Sequence, residues 1–241
     1  MYNIYSIEPI KIKSLYLTFW GASPKSKTFK KILNILKKKN LNSIVIDVKT
    51  EYGYTSYKTS FKQGNSYGIW YKRPIKDIKK FIQFMKDNNI YTIARIVVFK
   101  DNIQASHNFS YSIKNKHNKS WSNRDKMKWV DPFSNKAQEY TLNIAEDAAI
   151  AGFDEINYDY IRFPAKRGLK YLKQSTRFNR VQAISSFLLK SKKRLLKYGV
   201  YTSVNTYGII FRNKKDDSQI GKEIEELKKY VKIFNTRSKR K

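Results

Sequence analysis

GFDEINYDYIRFP, residues 152–164, begins as a strand and ends on a cluster of charge. Successive side chains of a strand point to opposite faces, and a strand covered by helices must turn an apolar face toward them. Ile156 and Tyr158 therefore face the helices, and Glu155, Asn157 and Asp159 face the other way. A parallel strand that buries apolar groups on one side and carboxylates on the other belongs in a barrel, whose interior can hold polar groups at the ends of its strands.

The same pattern recurs on both sides. Strands are expected at Leu15–Trp20, Ser43–Lys49, Tyr91–Phe99, Phe153–Asp159 and Val200–Thr206, each followed by a helical stretch. The first helix, around Ser26–Lys39, places Phe29, Ile32, Leu33 and Leu36 on one face; the second spaces Ile75, Ile78, Ile82 and Met85 likewise. Asp131 with Pro132 reads as the start of the third, with Ala137, Tyr140, Ile144 and Ala148 buried. Val181, Ile184 and Leu188 mark the fourth, and Ile220, Ile224, Leu227 and Val231 the fifth. Repeated βα units imply an α/β fold of (β/α) TIM-barrel type, with about five to six of the usual eight units present.

The chain is expected to form a single domain over residues 1–241, with a frayed basic tail from Asn235 to Lys241. No run approaches the roughly 20 apolar residues of a membrane span, and Met1–Lys13 lacks the apolar core of a secretory signal; the chain reads as cytoplasmic as written, and the location stays open. The absence of cysteine excludes disulfides, thiolate metal sites and cysteine nucleophiles. The formal charge of +31 suits polyanions, but lysine-rich solvated faces account for it, and a specific nucleic-acid site is not expected.

Alternation also orients the other strands. Asp47 and Lys49 turn inward against outward Ile44, Ile46 and Val48; Arg95 falls inward in the third strand, Thr18 and Trp20 in the first, Ser203 and Asn205 in the fifth. Charges gathered in one interior are costly unless they are paired or used. Two carboxyl groups flanking a bond are what glycoside hydrolysis needs, one as proton donor and one as nucleophile or base. Asp159 is the candidate nucleophile or transition-state stabiliser, with Asp47 and Glu155 as candidate partners; either of these two could instead hold Arg95 in place.

Two long connections, Thr50–Pro74 and Lys100–Val130, follow strands and so lie on the face where barrel loops build sites. Tyr54 in the first, and Trp129 with Trp121 in the second, offer flat faces for stacking on sugar rings. His107 and His117 lack metal-ligand spacing, and nucleotide-binding glycine patterns and a nucleophile elbow are missing, so neither a metal nor an organic cofactor is expected.

KSLYLTFWGAS (13–23), SIVIDVK (43–49), IARIVVFKD (93–101), WVDPF (129–133) and GFDEINYDYIRFP (152–164) together resemble, in order and spacing, a bacterial family known as the "putative glycosyl hydrolase domain" family. The resemblance runs from residue 13 to about residue 234 and implies a barrel that cleaves a poly- or oligosaccharide, with Asp47, Arg95, Asp131, Glu155, Asp159 and Arg162 as matching polar positions. Asp101, Lys49, Trp20, Trp129 and Asn205 join Arg95, Arg162 and Tyr54 as candidate substrate contacts. Measured against the family pattern, Thr50 and Asn205 stand where acidic residues are usual, and the pattern continues beyond a sixth strand, so a truncated barrel with exposed, self-associating edges is expected. A non-catalytic or vestigial carbohydrate-binding barrel is the alternative.

Overall fold

The computed structural model describes residues 12–207, 219–231 and 233–237. Six strands, β1 (Ser14–Leu17), β2 (Ser43–Lys49), β3 (Tyr91–Val97), β4 (Glu155–Asp159), β5 (Tyr201–Tyr207) and β6 (Ile233–Arg237), form one sheet in the order of the chain. Every neighbouring pair is parallel. An order without reversal sends each right-handed crossover to the same side, so helices cover one face and the other becomes an interior. Among the described residues no pairing joins β6 to β1, and the sheet is an open (β/α) arc of TIM-barrel type.

The crossovers contain α1 (Lys27–Lys38), α2 (Lys62–Ser66), α3 (Ile78–Asp87), α4 (Asn102–His107), α5 (Asn135–Ala151), α6 (Arg177–Leu195) and a single turn, α7 (Ile224–Leu227). Capping begins the four long helices: Ser26, Asp77, Ser134 and Thr176 each accept from the backbone N–H three residues on. Gly152, at φ 99°, ends α5 in the left-handed conformation that a Cβ disfavours. Ile44, Ile46, Val48, Ala94, Ile96, Ile156 and Tyr158 pack between sheet and helices, and the Tyr158 hydroxyl meets Ser191 Oγ of α6 at 2.7 Å. This contact fixes Tyr158 outward and hence its neighbours Asn157 and Asp159 inward.

Several elements differ in extent from the sequence pattern. β1 ends at Leu17, and Trp20 lies in a 3-10 turn over Trp20–Ala22, because Ala22 N–H closes back on Thr18 and Phe19 carbonyls. The third long helix, α5, starts at Asn135 and not beside Asp131, whose carboxylate serves Phe133 N–H at 2.9 Å and Leu172 N–H at 2.6 Å instead. Ile220 and Val231 are buried but flank α7, so the fifth stripe is only partly helical. Asn235, Thr236 and Arg237, expected in a frayed tail, pair with β5; residues 238–241 and Met1–Lys11 lie outside the described residues.

Candidate active site

The register brings the charged residues together. Asp47 of β2 stands opposite Arg95 of β3, Arg95 opposite Asn157 of β4, and Val97 opposite Asp159. Arg95 Nε and Nη2 donate to Asp159 Oδ2 at 2.8 and 2.6 Å, while Nη1 donates to Asp47 Oδ1. The second oxygen of Asp47 accepts from the Tyr16 hydroxyl of β1. Burial opposes the charge on Arg95, but Asp159 and Asp47 outweigh it and hold the guanidinium well above its ordinary pKa. One cation therefore bridges two carboxylates from different strands, and all three side chains are less than a tenth exposed. Desolvating three charges costs several kcal/mol per ion, which such multidentate pairing can offset.

Two departures from regular strand geometry flank this triad. The β2–β3 register shifts between Asp47 and Lys49, and bulges of this kind re-aim side chains next to functional sites. Tyr160 adopts φ 48°, a left-handed conformation costly for a bulky side chain, immediately after Asp159. Its N–H closes on Asp159 Oδ1 at 2.8 Å, so the bend at the strand end helps to hold the carboxylate.

Glu155 is placed differently. At about 3.3 Å per residue it sits roughly 13 Å below Asp159 along β4, where it accepts from Ser203 and, at 3.4 Å, from the Tyr91 hydroxyl. Burial raises its pKa, with the Ser203 and Tyr91 hydrogen bonds countering in part. Asn157 Nδ2 reaches the same Ser203 hydroxyl at 2.7 Å, which builds a polar layer under the triad.

Lys49 and Asp101 have no exposed side-chain surface and face each other at 2.8 Å. The Lys49 ammonium directs a hydrogen bond to the Val97 carbonyl, while Asp101 Oδ1 caps α4 through Gln104 N–H at 2.9 Å. This pair ties the loops after β2 and β3 together beneath the rim. Trp129 is buried as well; Arg162 stacks over its ring at 5.1 Å and over Tyr160 at 5.5 Å, and donates to the Phe163 carbonyl. Trp20 is 63% exposed beside β1, against the edge of Phe19, and Tyr54 lies half-buried under the Lys72 ammonium. Asp131 is buried, and burial raises its carboxyl to about 6 against the opposing Leu172 and Phe133 hydrogen bonds. It ties together the segments after β3 and β4.

Lys222 escaped the sequence reading. Its side chain is buried in the segment between β5 and α7, its Nζ donates to the Asn205 carbonyl at 2.7 Å, and burial lowers its pKa to about 7, with Asp159 opposing and Arg162 adding to the shift. A lysine between apolar residues spaced as a helical stripe gives no sequence signal of burial. Among the described residues no group of three His, Asp or Glu could hold a metal ion, and no helix is long and apolar enough to cross a membrane.

A singly wound parallel sheet with ion-paired carboxylates near the C-terminal ends of β2 and β4 defines the chain as a (β/α)-barrel-type protein. The chain belongs to the family described as "Putative glycosyl hydrolase domain", whose profile matches residues 14–236. A hypothetical protein from Ruminiclostridium thermocellum is 29% identical, with a TM-score of 0.70 over 79% of this chain and 96% of that one. The glycoside hydrolase domain of PgaB (BpsB) from Bordetella bronchiseptica shares the fold at 10% identity, with a TM-score of 0.61 over 93% of this chain and 73% of that one. Aspergillus fumigatus Ega3, solved in complex with galactosamine, does so at 11% identity, with a TM-score of 0.55 over 93% and 66%. No curated protein sequence matches the chain.

Proposed function

We propose that the chain hydrolyses glycosidic bonds in a poly- or oligosaccharide at the C-terminal end of β2–β4. The bridge Asp47–Arg95–Asp159 carries this reading, because it places carboxylates from β2 and β4, on either side of Arg95 in β3, at the end of the sheet where barrel enzymes do their chemistry. Asp159 serves as nucleophile or as the anion that stabilises an oxocarbenium-like transition state, and Arg95 keeps it ionised and oriented. Asp47, across Arg95 from it, is the proposed carboxyl partner. Glu155 has the raised pKa of an acid, but roughly 13 Å along the strand exceeds the carboxyl separation of about 6.5–9.5 Å used by inverting enzymes. In this reading it supports the layer beneath. Trp20 and Tyr54 offer sugar-stacking faces on the rim, and Arg162 and Asn205 flank the site from the ends of β4 and β5. Lys49, Asp101 and Trp129 hold the segments after β2 and β3 around it. The two sheet edges, β1 and β6, are where copies of the chain would associate.

One observation favours a binding role without catalysis: the same guanidinium engages both carboxylates, which ties them to each other instead of to a glycosidic oxygen. Release of reducing ends from a panel of polysaccharides separates the two. Turnover that disappears in Asp159→Asn and falls in Asp47→Asn supports hydrolysis; binding of a glycan without any turnover supports the second role.

A further inference from the structure

The loops that follow β2, β3 and β4, residues 50–77, 98–134 and 160–176, surround the carboxylate end of the sheet and together hold 17 Lys and Arg against five Asp and Glu. The acidic groups are largely spoken for. Asp101 faces Lys49, Asp125 lies 3.8 Å from Lys100, Asp131 holds two backbone N–H groups, Asp77 caps α3, and Glu51 is the fifth. The segment 160–176 has five cations and no carboxylate, and after Asp159 the next acidic residue in the chain is Asp216. At the site itself Arg95 bridges Asp47 and Asp159 with a net charge of −1, against a surplus of twelve cations in the surrounding loops.

These cations are also organised. Lys58 and Arg73 both lie over one ring, Trp70, at 4.8 and 4.7 Å; Lys72 lies over Tyr54 and Lys114 over Phe109. Arg162 stacks on Trp129 and Tyr160 beside Asp159. An aromatic ring next to a fixed cation can meet the apolar face of a sugar ring together with an acidic substituent on it. Lys114 and Lys170 exchange backbone hydrogen bonds at 3.1 and 2.8 Å, which joins the second and third loops into one positively charged wall.

We infer that the saccharide recognised at this site is an acidic glycan, one whose repeating unit carries carboxylate, sulfate or phosphate groups, held by the cationic loops after β2, β3 and β4. This rests on the sugar-cleaving site of the preceding section and names its substrate class. The loops raise the local concentration of a polyanion and orient its acidic groups outward, while the Asp47–Arg95–Asp159 bridge meets the bond to be cleaved.

The test measures binding of polygalacturonate, a sulfated glycosaminoglycan, a neutral glucan, chitosan oligosaccharides and a DNA duplex to the full chain carrying Asp159→Asn, at low and at moderate salt. Two further variants are compared in that background: Lys166→Gln, Arg167→Gln, Lys170→Gln and Lys173→Gln together in the third loop, and Lys30→Gln, Lys31→Gln, Lys37→Gln and Lys38→Gln together on exposed positions of α1. The loop variant is expected to lose at least ~10-fold in affinity for an acidic glycan at low salt, and the α1 variant under ~2-fold. Equal losses in the two variants would overturn the inference in favour of bulk charge. Preference for the neutral glucan or for chitosan would overturn it, and so would tighter, loop-dependent binding of DNA. If the loop-dependent binding is found but the wild-type chain cleaves none of the acidic glycans, the hydrolytic reading fails while the assignment of the ligand stands.

Discussion

Replacing Lys222 with methionine should stabilise the fold at neutral and acid pH, by an amount that shrinks as the pH rises. Burial lowers this lysine from its ordinary 10.5 to about 7. Below pH 7 both folded and unfolded chains carry the proton, and the fold bears the full cost of a buried ammonium. Between pH 7 and 10.5 the native amine is neutral while the unfolded chain still binds a proton, so native stability climbs with pH; above 10.5 neither state is charged and the cost is gone. At about 1.4 kcal/mol per pKa unit the full cost is on the order of 5 kcal/mol. Methionine fills a similar volume without the charge but gives up the hydrogen bond to the Asn205 carbonyl, worth about 1 kcal/mol. The expected gain is therefore about 4 kcal/mol at pH 6, falling to nothing or to a small loss near pH 10. Urea unfolding of both proteins at pH 6, 8 and 10 gives the comparison. Adding Asp159→Asn removes the attraction that opposes the shift, so the lysine titrates lower still and its cost grows. A methionine variant that is less stable than wild type at pH 6, or whose difference from wild type does not change with pH, would refute the assignment of a buried, easily deprotonated lysine beside Asp159.

Lys49→Met leaves Asp101 buried opposite an apolar chain and should cost about 3–5 kcal/mol in urea unfolding, with much of the loss recovered by adding Asp101→Asn. Asp131 has its pKa raised from 3.8 to about 6, so the native state holds its proton more tightly: the stability it contributes is complete below pH 4 and lost as the pH rises through 6. Asp131→Asn should therefore compare less favourably with wild type at pH 4 than at pH 7, by up to about 3 kcal/mol, and parallel unfolding curves at the two values would count against it. Gly53→Ala forces a Cβ into the left-handed region at φ 95° and within 2.4 Å of Asp101 Oδ1; a loss of at least ~1 kcal/mol in the unfolding midpoint is expected.

Alternation made the interior legible. Ile156 and Tyr158 could only face helices, so Asp159 had to face in, and the same count places Asp47 and Arg95 on the inner face. The pairing of all three through one guanidinium depends on register between strands separated by long loops, which local pattern does not encode. Phe19 and Trp20 extend the apolar run of β1 but belong to a turn, because a short apolar run does not show where the strand stops. Asp131 looked like a helix cap, yet Ser134 does that work and Asp131 instead reaches Leu172, a residue 41 positions away. Lys49 and Asp101 were readable as polar positions near the site but not as partners of one another. Burial of Lys222 follows from the packing of the segment after β5 and has no trace in its neighbours' spacing.

The central claim is that Asp159 acts on a sugar bond while Arg95 holds it ionised. Its most direct test is kcat/KM for cleavage of an acidic oligosaccharide by the wild-type chain and by Asp159→Asn, with circular dichroism to establish that both are folded. The account predicts turnover by the wild type and a loss of at least ~10³-fold in the variant. A folded Asp159→Asn protein that cleaves the same oligosaccharide as fast as the wild type would contradict it.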